Sequence, residues 1–324
     1  MNLKLILLLN LYLLPTNTKA DFSKIVIWGH KLYSHTHSFI HYGFYNAFKH
    51  MGYNTFWLDE TDDLSNFDFS NSLFITESQA DKNLPIADDC YYILHNCDFK
   101  KYEHLYNNNQ CILLQVYTND CLKYKLERLE PFVYANYQEK IICMPWATDL
   151  LPDEINEIKK NVPTMLHTNQ VNFIGTVGGG VHGNENEINP FVKACSENNI
   201  NFNALNNCKT SALDNIKLIQ KSYMAPALQG KWQCDNGYIP CRIFKNVSYG
   251  QYPITNSKAV SELFNNKIVY NSDTYQLFYD AQKKLNNLNL QELYDAMDFV
   301  RDNHTYINRI NTLLNFIEKA LFLK

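Results

Sequence analysis

The chain begins the same structural phrase twice, and that repetition restricts the folds open to it. Lys24–Trp28 is a short apolar run ending at Gly29-His30. Phe39, Tyr42, Gly43, Ala47, Phe48 and Met51 then recur at helical spacing before Gly52. Residues 171–174 form a second apolar run, and it enters Gly175-Thr176-Val177-Gly178-Gly179-Gly180-Val181-His182-Gly183, five glycines in nine residues. Glycine density of that kind permits positive φ angles and close backbone approach to a ligand. A helix over 188–198 and a strand at Asn201–Leu205 are expected next. Further strands are expected at 54–58, 72–76, 91–95, 111–117 and 223–228. Strands alternating with helices call for a parallel sheet covered on both faces. The 324 residues, 46% of them hydrophobic, suffice for two such α/β domains.

The segment 237–256 carries the most chemical information. Gly237-Tyr238-Ile239-Pro240 reads as a loop, Cys241-Arg242-Ile243-Phe244-Lys245-Asn246 opens a short helix, Gly250 stops it, and 252–255 has strand character. A helix that starts beside an arginine presents free N–H groups and positive charge to an anion. This segment resembles the donor site of two-domain (GT-B fold) nucleotide-sugar glycosyltransferases, especially the CgeB-like branch of the glycosyl transferase group 1 family, where it takes the form IPxRIFEALAxG. Phe173-Ile174-Gly175-Thr176 is similar to the family's FIGTxGG loop, and Pro145-Trp146-Ala147-Thr148-Asp149 to its PWATD strand end.

The resemblance implies two Rossmann-like domains facing across a cleft. An acceptor domain would occupy residues 21–160 and a nucleotide-sugar domain residues 168–305, with a hinge between them. A final helix over 306–324, striped by Ile307, Ile310, Leu313, Leu314, Ile317 and Leu321, would cross back onto the first domain. The activity implied is transfer of a sugar from a nucleotide diphosphate to a glycan, protein or lipid acceptor. It implies retention at the anomeric carbon, no cofactor beyond the co-substrate and no obligatory metal. Carried over by position, Gly175, Thr176, Gly178, Tyr238, Ile239, Arg242 and Asn246 would hold the donor, and Gly29, His30 and Lys31 would lie on the acceptor side. Lys231, just beyond the expected strand 223–228, either meets the diphosphate or lies on the surface. The chain departs from the family at Lys245, where a glutamate is usual, and near Gly237, where the paired glutamate would fall. Lys245 is either a point charge for the diphosphate or a solvated lysine.

Four histidines, His30, His35, His37 and His41, lie within twelve residues at the end of the first strand. Imidazole suits proton transfer near neutrality, so His35 and His37 are the catalytic candidates, as base or as sugar-hydroxyl partners. Structural loop histidines are the alternative. A metal site is not expected, because no HExxH-type companion accompanies them.

The remaining features bear on compartment and partners. Lys4 precedes an apolar run of about ten residues and Pro15, which reads as a signal peptide over residues 1–20, with an uncleaved anchor and membrane association as the alternative. The location expected is the secretory pathway, periplasm or membrane if that leader is used, and otherwise the cytoplasm. Nine scattered cysteines lack CxxC spacing. Asn246-Val247-Ser248 and Asn303-His304-Thr305 match the glycosylation acceptor pattern. A net charge of −4 gives no case for nucleic acid as a partner. Two other functions fit the same architecture: a catalytically inactive module that binds a glycan or nucleotide sugar, and a sugar-nucleotide epimerase, which would need carboxylates in the cleft.

Overall fold

The computed structural model describes residues 22–32, 37–77, 83–205 and 211–322. The expected leader and His35 lie outside the described residues.

The first half is built on one sheet. Its strands are β1 (Lys24–Trp28), β2 (Thr55–Leu58), β3 (Ser72–Glu77), β4 (Tyr91–His95), β5 (Cys111–Gln115), β6 (Glu127–Glu130), β7 (Val133–Asn136) and β8 (Ile141–Cys143). Their order across the sheet is β2-β1-β3-β4-β5-β8-β7-β6. β1 to β5 and β8 run parallel, with Ile25 opposite Thr55 on one side and Leu73 on the other. β7 and β6 turn back antiparallel at the edge, a hairpin that the polar run Glu127-Arg128-Leu129-Glu130 does not announce. Because β1 pairs with β2 on one side and with β3 on the other, the connections leave it in opposite directions. That switch point opens a crevice at the carboxyl ends of β1 and β3, where ligands bind in open α/β sheets.

The core strands are buried on both faces, which is why they read as continuous apolar runs. One face packs Ile25, Ile27, Ile75 and Ile93 against Phe44 and Phe48 of the helix Ser38–His50. Against the same face lie Tyr306, Ile310, Leu313 and Phe316 of the helix Tyr306–Ile317. That last helix therefore crosses back onto the first half, as the resemblance implies. Its Arg309 is buried, donates from Nε to the Pro145 carbonyl at 2.7 Å, and contacts His304 Nδ1 at 2.8 Å. Burial lowers the Arg309 pKa to about 10, yet it stays charged at neutral pH and clamps the Pro145-Trp146 corner beside the cleft.

The second half holds the parallel pair β9 (Gln170–Ile174) and β10 (Asn201–Leu205), and the pair β11 (Ile254–Thr255) and β12 (Val269–Tyr270). The expected strand at 223–228 is corrected to an extended segment without a regular ladder. Tyr223 N–H reaches Gln170 O at 2.7 Å, and Ala227 N–H reaches Ile254 O at 2.8 Å, so the segment still lies between β9 and β11. Pro226 removes one donor in the middle of it. β9 thus has β10 on one side and this segment on the other, and a second switch point falls at the glycine-rich loop.

Candidate functional site

The loop after β9 is organised by its own backbone. Asn184 Oδ1 accepts from Gly178 N–H at 3.2 Å, its Nδ2 donates to Thr176 O, and its N–H donates to Gly178 O at 2.8 Å. The helix Glu185–Glu197 follows. Among the described residues no partner within the protein satisfies the amides of Thr176, Gly179 and Gly180. Such a string of amides at a strand end is an anion-binding concavity.

Arg242 lies directly under this loop. It stands in the first turn of the helix Cys241–Ser248, and its guanidinium stacks over Phe173, 4.1 Å from the ring centre. Nε donates to Ile174 O at 3.0 Å and Nη1 to Leu228 O at 3.1 Å, tying β9 to the extended segment 223–228. A Cβ at Gly175 would collide with Nη2, so this position has room only for glycine. No carboxylate among the described residues pairs with Arg242, and burial alone presses on its charge. A half-buried cation with carbonyl partners and, among the described residues, no counter-ion suits an anionic ligand.

The other expected donor residues are distributed differently. Tyr238 lies at the cleft, its ring 5.2 Å from Tyr117 at the end of β5. Burial raises its phenol pKa above the usual value. Ile239 is a buried core side chain packed with Ile243 and Phe244, so only its backbone remains for a ligand. Asn246 is also buried, and its Nδ2 donates to Ala225 O at 2.8 Å; it braces the extended segment, and the glycosylation acceptor pattern there is not accessible. Lys231 is corrected to a surface residue of the helix Lys231–Asp235, with its side chain 79% exposed and paired to Asp235 at 2.8 Å. The short helix was not expected, and it turns the lysine out to solvent.

Lys245 takes neither of its expected roles. Its Nζ meets Asp149 at 3.0 Å, with side chains 14% and 4% exposed, and lies 4.4 Å from the Phe39 ring centre. Tyr249 also donates its hydroxyl to Asp149 at 2.7 Å. Asp149 closes the Pro145-Trp146-Ala147-Thr148-Asp149 corner, so Lys245 is matched to an aspartate supplied by the segment after β8. Thr148 Oγ1 and Ser248 Oγ, 2.7 Å apart, join the same two segments. Near the cleft mouth Tyr117 meets Trp232 edge-on, and Trp232 in turn meets His182 of the glycine-rich loop edge-on. Thr118 Oγ1 donates to Gly237 O at 3.3 Å.

At the first switch point the acceptor-side residues converge. His30 has φ 47°, an unusual left-handed conformation for a non-glycine residue. Its Nε2 donates to Glu77 Oε2 at 2.7 Å, with side chains 8% and 2% exposed. The His37 ring stacks on His30 with centres 5.7 Å apart, and His41 and His95 stand beside them. His41 Nδ1 donates to Gly29 O at 2.8 Å and His95 Nδ1 to Leu114 O at 3.0 Å. Burial lowers the His41 pKa to about 3 and lowers that of His95, so both stay neutral. Trp146 covers the group, 4.8 Å from His95. Lys31 is turned aside to Asp62 at 2.9 Å.

Glu77 is the residue that sequence reasoning missed. It follows the apolar run Ser72-Leu73-Phe74-Ile75-Thr76, and a lone glutamate at the carboxyl end of a buried strand was the available signal. The aromatic group Tyr117, Trp232 and His182 had no signal in sequence, because three separate segments supply it.

With this geometry in view, two solved structures are similar to the chain. One is an α-glucosyltransferase in complex with UDP, at 10% identity and TM-score 0.56, covering 91% of this chain and 99% of that one. The other is an α-glucosyltransferase in complex with UDP and a 13-mer DNA containing a HMU base, at 12% identity and TM-score 0.53, covering 91% of this chain and 98% of that one. The shared architecture is the GT-B glycosyltransferase fold. No protein-family model matches the sequence, and no curated protein matches it.

Proposed function

We propose that the chain is a glycosyltransferase that moves a sugar from a nucleotide-diphosphate donor to a glycan, protein or lipid acceptor. The observation that carries this reading is Arg242. Its charge lies beneath the glycine-rich loop with carbonyl partners and no acidic one, where a diphosphate would supply the missing negative charge. The Thr176, Gly179 and Gly180 amides and the start of the Cys241–Ser248 helix add dipoles of the same sign. These groups would stabilise the charge that grows on the departing diphosphate without a metal ion there. Both α-glucosyltransferase structures reported above are complexes with UDP. The acceptor would enter at the first switch point, where His37 or the His30–Glu77 pair receives the hydroxyl proton. The net charge of −4 disfavours a polyanionic acceptor.

A second reading is an inactive module that binds a nucleotide sugar. Lys245 is occupied by Asp149 at the position of the family's glutamate, and that observation favours it. Calorimetric titration of the protein with UDP, GDP, ADP and their sugars tests the binding common to both. Saturable binding is expected, weakened about 10- to 100-fold by Arg242→Ala, the loss of one or two charge-assisted hydrogen bonds. Sugar release or transfer from the bound donor separates enzyme from module. A folded protein that binds none of the panel would overturn both readings.

A further inference from the structure

The cluster at the first switch point has the composition and spacing of a metal centre. One ligand atom each from His30, His37 and Glu77 lies within 4.8 Å of the other two. Two imidazoles and one carboxylate are the donor set of open divalent-metal sites, in which three protein ligands leave room for water or substrate. Around a tetrahedral zinc with bonds of about 2.0 Å, ligand atoms stand roughly 3.3 Å apart, so closure needs an inward shift of about 1 Å or more at the widest pair. The His30–Glu77 pair at 2.7 Å is already inside that separation.

Three independent features support assembly of ligands at this point. The carboxylate is buried at the carboxyl end of β3, where its charge is costly to hold without a positive partner, a role that His30 fills in this structure and that a cation would fill more fully. His30 adopts φ 47° at the crevice, and backbone strain of this kind clusters at ligand clamps. A shell of oriented groups surrounds the set: His41 and His95 stand against His30 and His37, each fixed by a bond from Nδ1 to a main-chain carbonyl. Trp146 walls the site on another side.

We propose that His30, His37 and Glu77 bind one divalent transition-metal ion of the zinc type, on the acceptor side and apart from the glycine-rich loop. The ion replaces the proton shared by His30 and Glu77, and that proton leaves to solvent. Its open coordination positions take water or a hydroxyl of a bound ligand, whose acidity the ion raises. Ion binding does not require the glycosyl-transfer reading, because all three protein ligands come from this chain; with the ion bound, an acceptor hydroxyl in its open position loses its proton to solvent rather than to His37 or the His30–Glu77 pair.

The test is titration of the untagged, chelator-treated full chain with zinc chloride by calorimetry, and with cobalt(II), whose visible absorption reports a low-coordinate nitrogen–oxygen site. One ion per chain is expected, with a dissociation constant of about 1 µM or tighter. Affinity should rise with pH through the histidine range as proton competition fades. Glu77→Gln and His37→Ala should each weaken binding by at least about 10- to 100-fold and abolish the cobalt spectrum. His104→Ala, on the remote helix Phe99–Asn107, should leave both unchanged. His37→Ala carries the test if Glu77→Gln does not fold, because the His37 side chain makes no helix-capping hydrogen bond. Failure of the parent protein to bind zinc or cobalt below about 100 µM, or binding that survives His37→Ala in a folded protein, would overturn the proposal. Nucleotide binding measured on the same sample reports separately on the donor site.

Discussion

Replacing Lys245 by methionine isolates the charge pair that joins the helix Cys241–Ser248 to the corner after β8. Asp149 is 4% exposed and accepts two bonds, one from Lys245 at 3.0 Å and one from the Tyr249 hydroxyl at 2.7 Å. Lys245→Met leaves that carboxylate with the tyrosine alone. Breaking a buried pair from one side costs about 3–5 kcal/mol, because the remaining charge stays desolvated. Asp149→Asn should cost less, about 2–3 kcal/mol, since the Lys245 ammonium is 14% exposed and keeps the Phe39 ring as a partner. The double substitution removes both charges at once and should cost less than the sum, with a coupling of about 1.5–3 kcal/mol. Lys245→Glu should be the most damaging, because it sets two carboxylates against each other in the same buried corner. Urea unfolding followed by tryptophan fluorescence measures all four proteins, with nucleotide titration alongside. Additivity within about 0.5 kcal/mol would refute the reading of a coupled pair. A Lys245→Glu protein as stable as the parent would show that Asp149 is not the partner that dictates the lysine.

Three further outcomes are expected. Gly175→Ala places a methyl against the Arg242 guanidinium and should destabilise by about 1–3 kcal/mol while weakening UDP binding at least 10-fold; thermal melting and calorimetry read the two effects. Lys231→Ala should change neither melting temperature nor nucleotide affinity, because the side chain is a solvated partner of Asp235. Acid should unfold the protein through its buried histidines. The His41 pKa falls from 6.5 to about 3 on folding, so the unfolded chain binds the extra proton between those values. Its stabilising contribution is complete above pH 6.5 and is lost as pH falls toward 3, at up to about 1.4 kcal/mol per pH unit. His41→Gln should flatten that slope in urea titrations at pH 4 to 7, and an unchanged slope would locate the acid sensitivity elsewhere.

Much of the architecture was legible because burial leaves a direct mark on composition. β1 and β4 have the expected bounds, since strands in a covered parallel sheet are apolar runs closed by glycine or polar residues, and β10 has them too although its side chains stay partly or fully exposed. The last helix was legible from its 3.6-residue stripe, and the glycine-rich loop from the density of a residue that few backbones otherwise require. What failed locally did so for identifiable reasons. Pro226 broke the ladder of an apolar segment that is otherwise strand-like, and the edge hairpin β6–β7 is too polar to show the alternation of a half-buried strand.

The chain by itself determined the two α/β halves, the positions of the two strand-end loops and the presence of Arg242 at the start of a helix. Only the tertiary structure decided which charges meet. His30 and Glu77 are separated by 47 residues and join because β1 pairs with β3. Lys245 and Asp149 meet because the helix Cys241–Ser248 packs against the corner after β8. Hydrophobic periodicity is a local property that each segment carries alone. A charge pair depends on which strand ends the topology brings side by side, and that information belongs to the whole sheet.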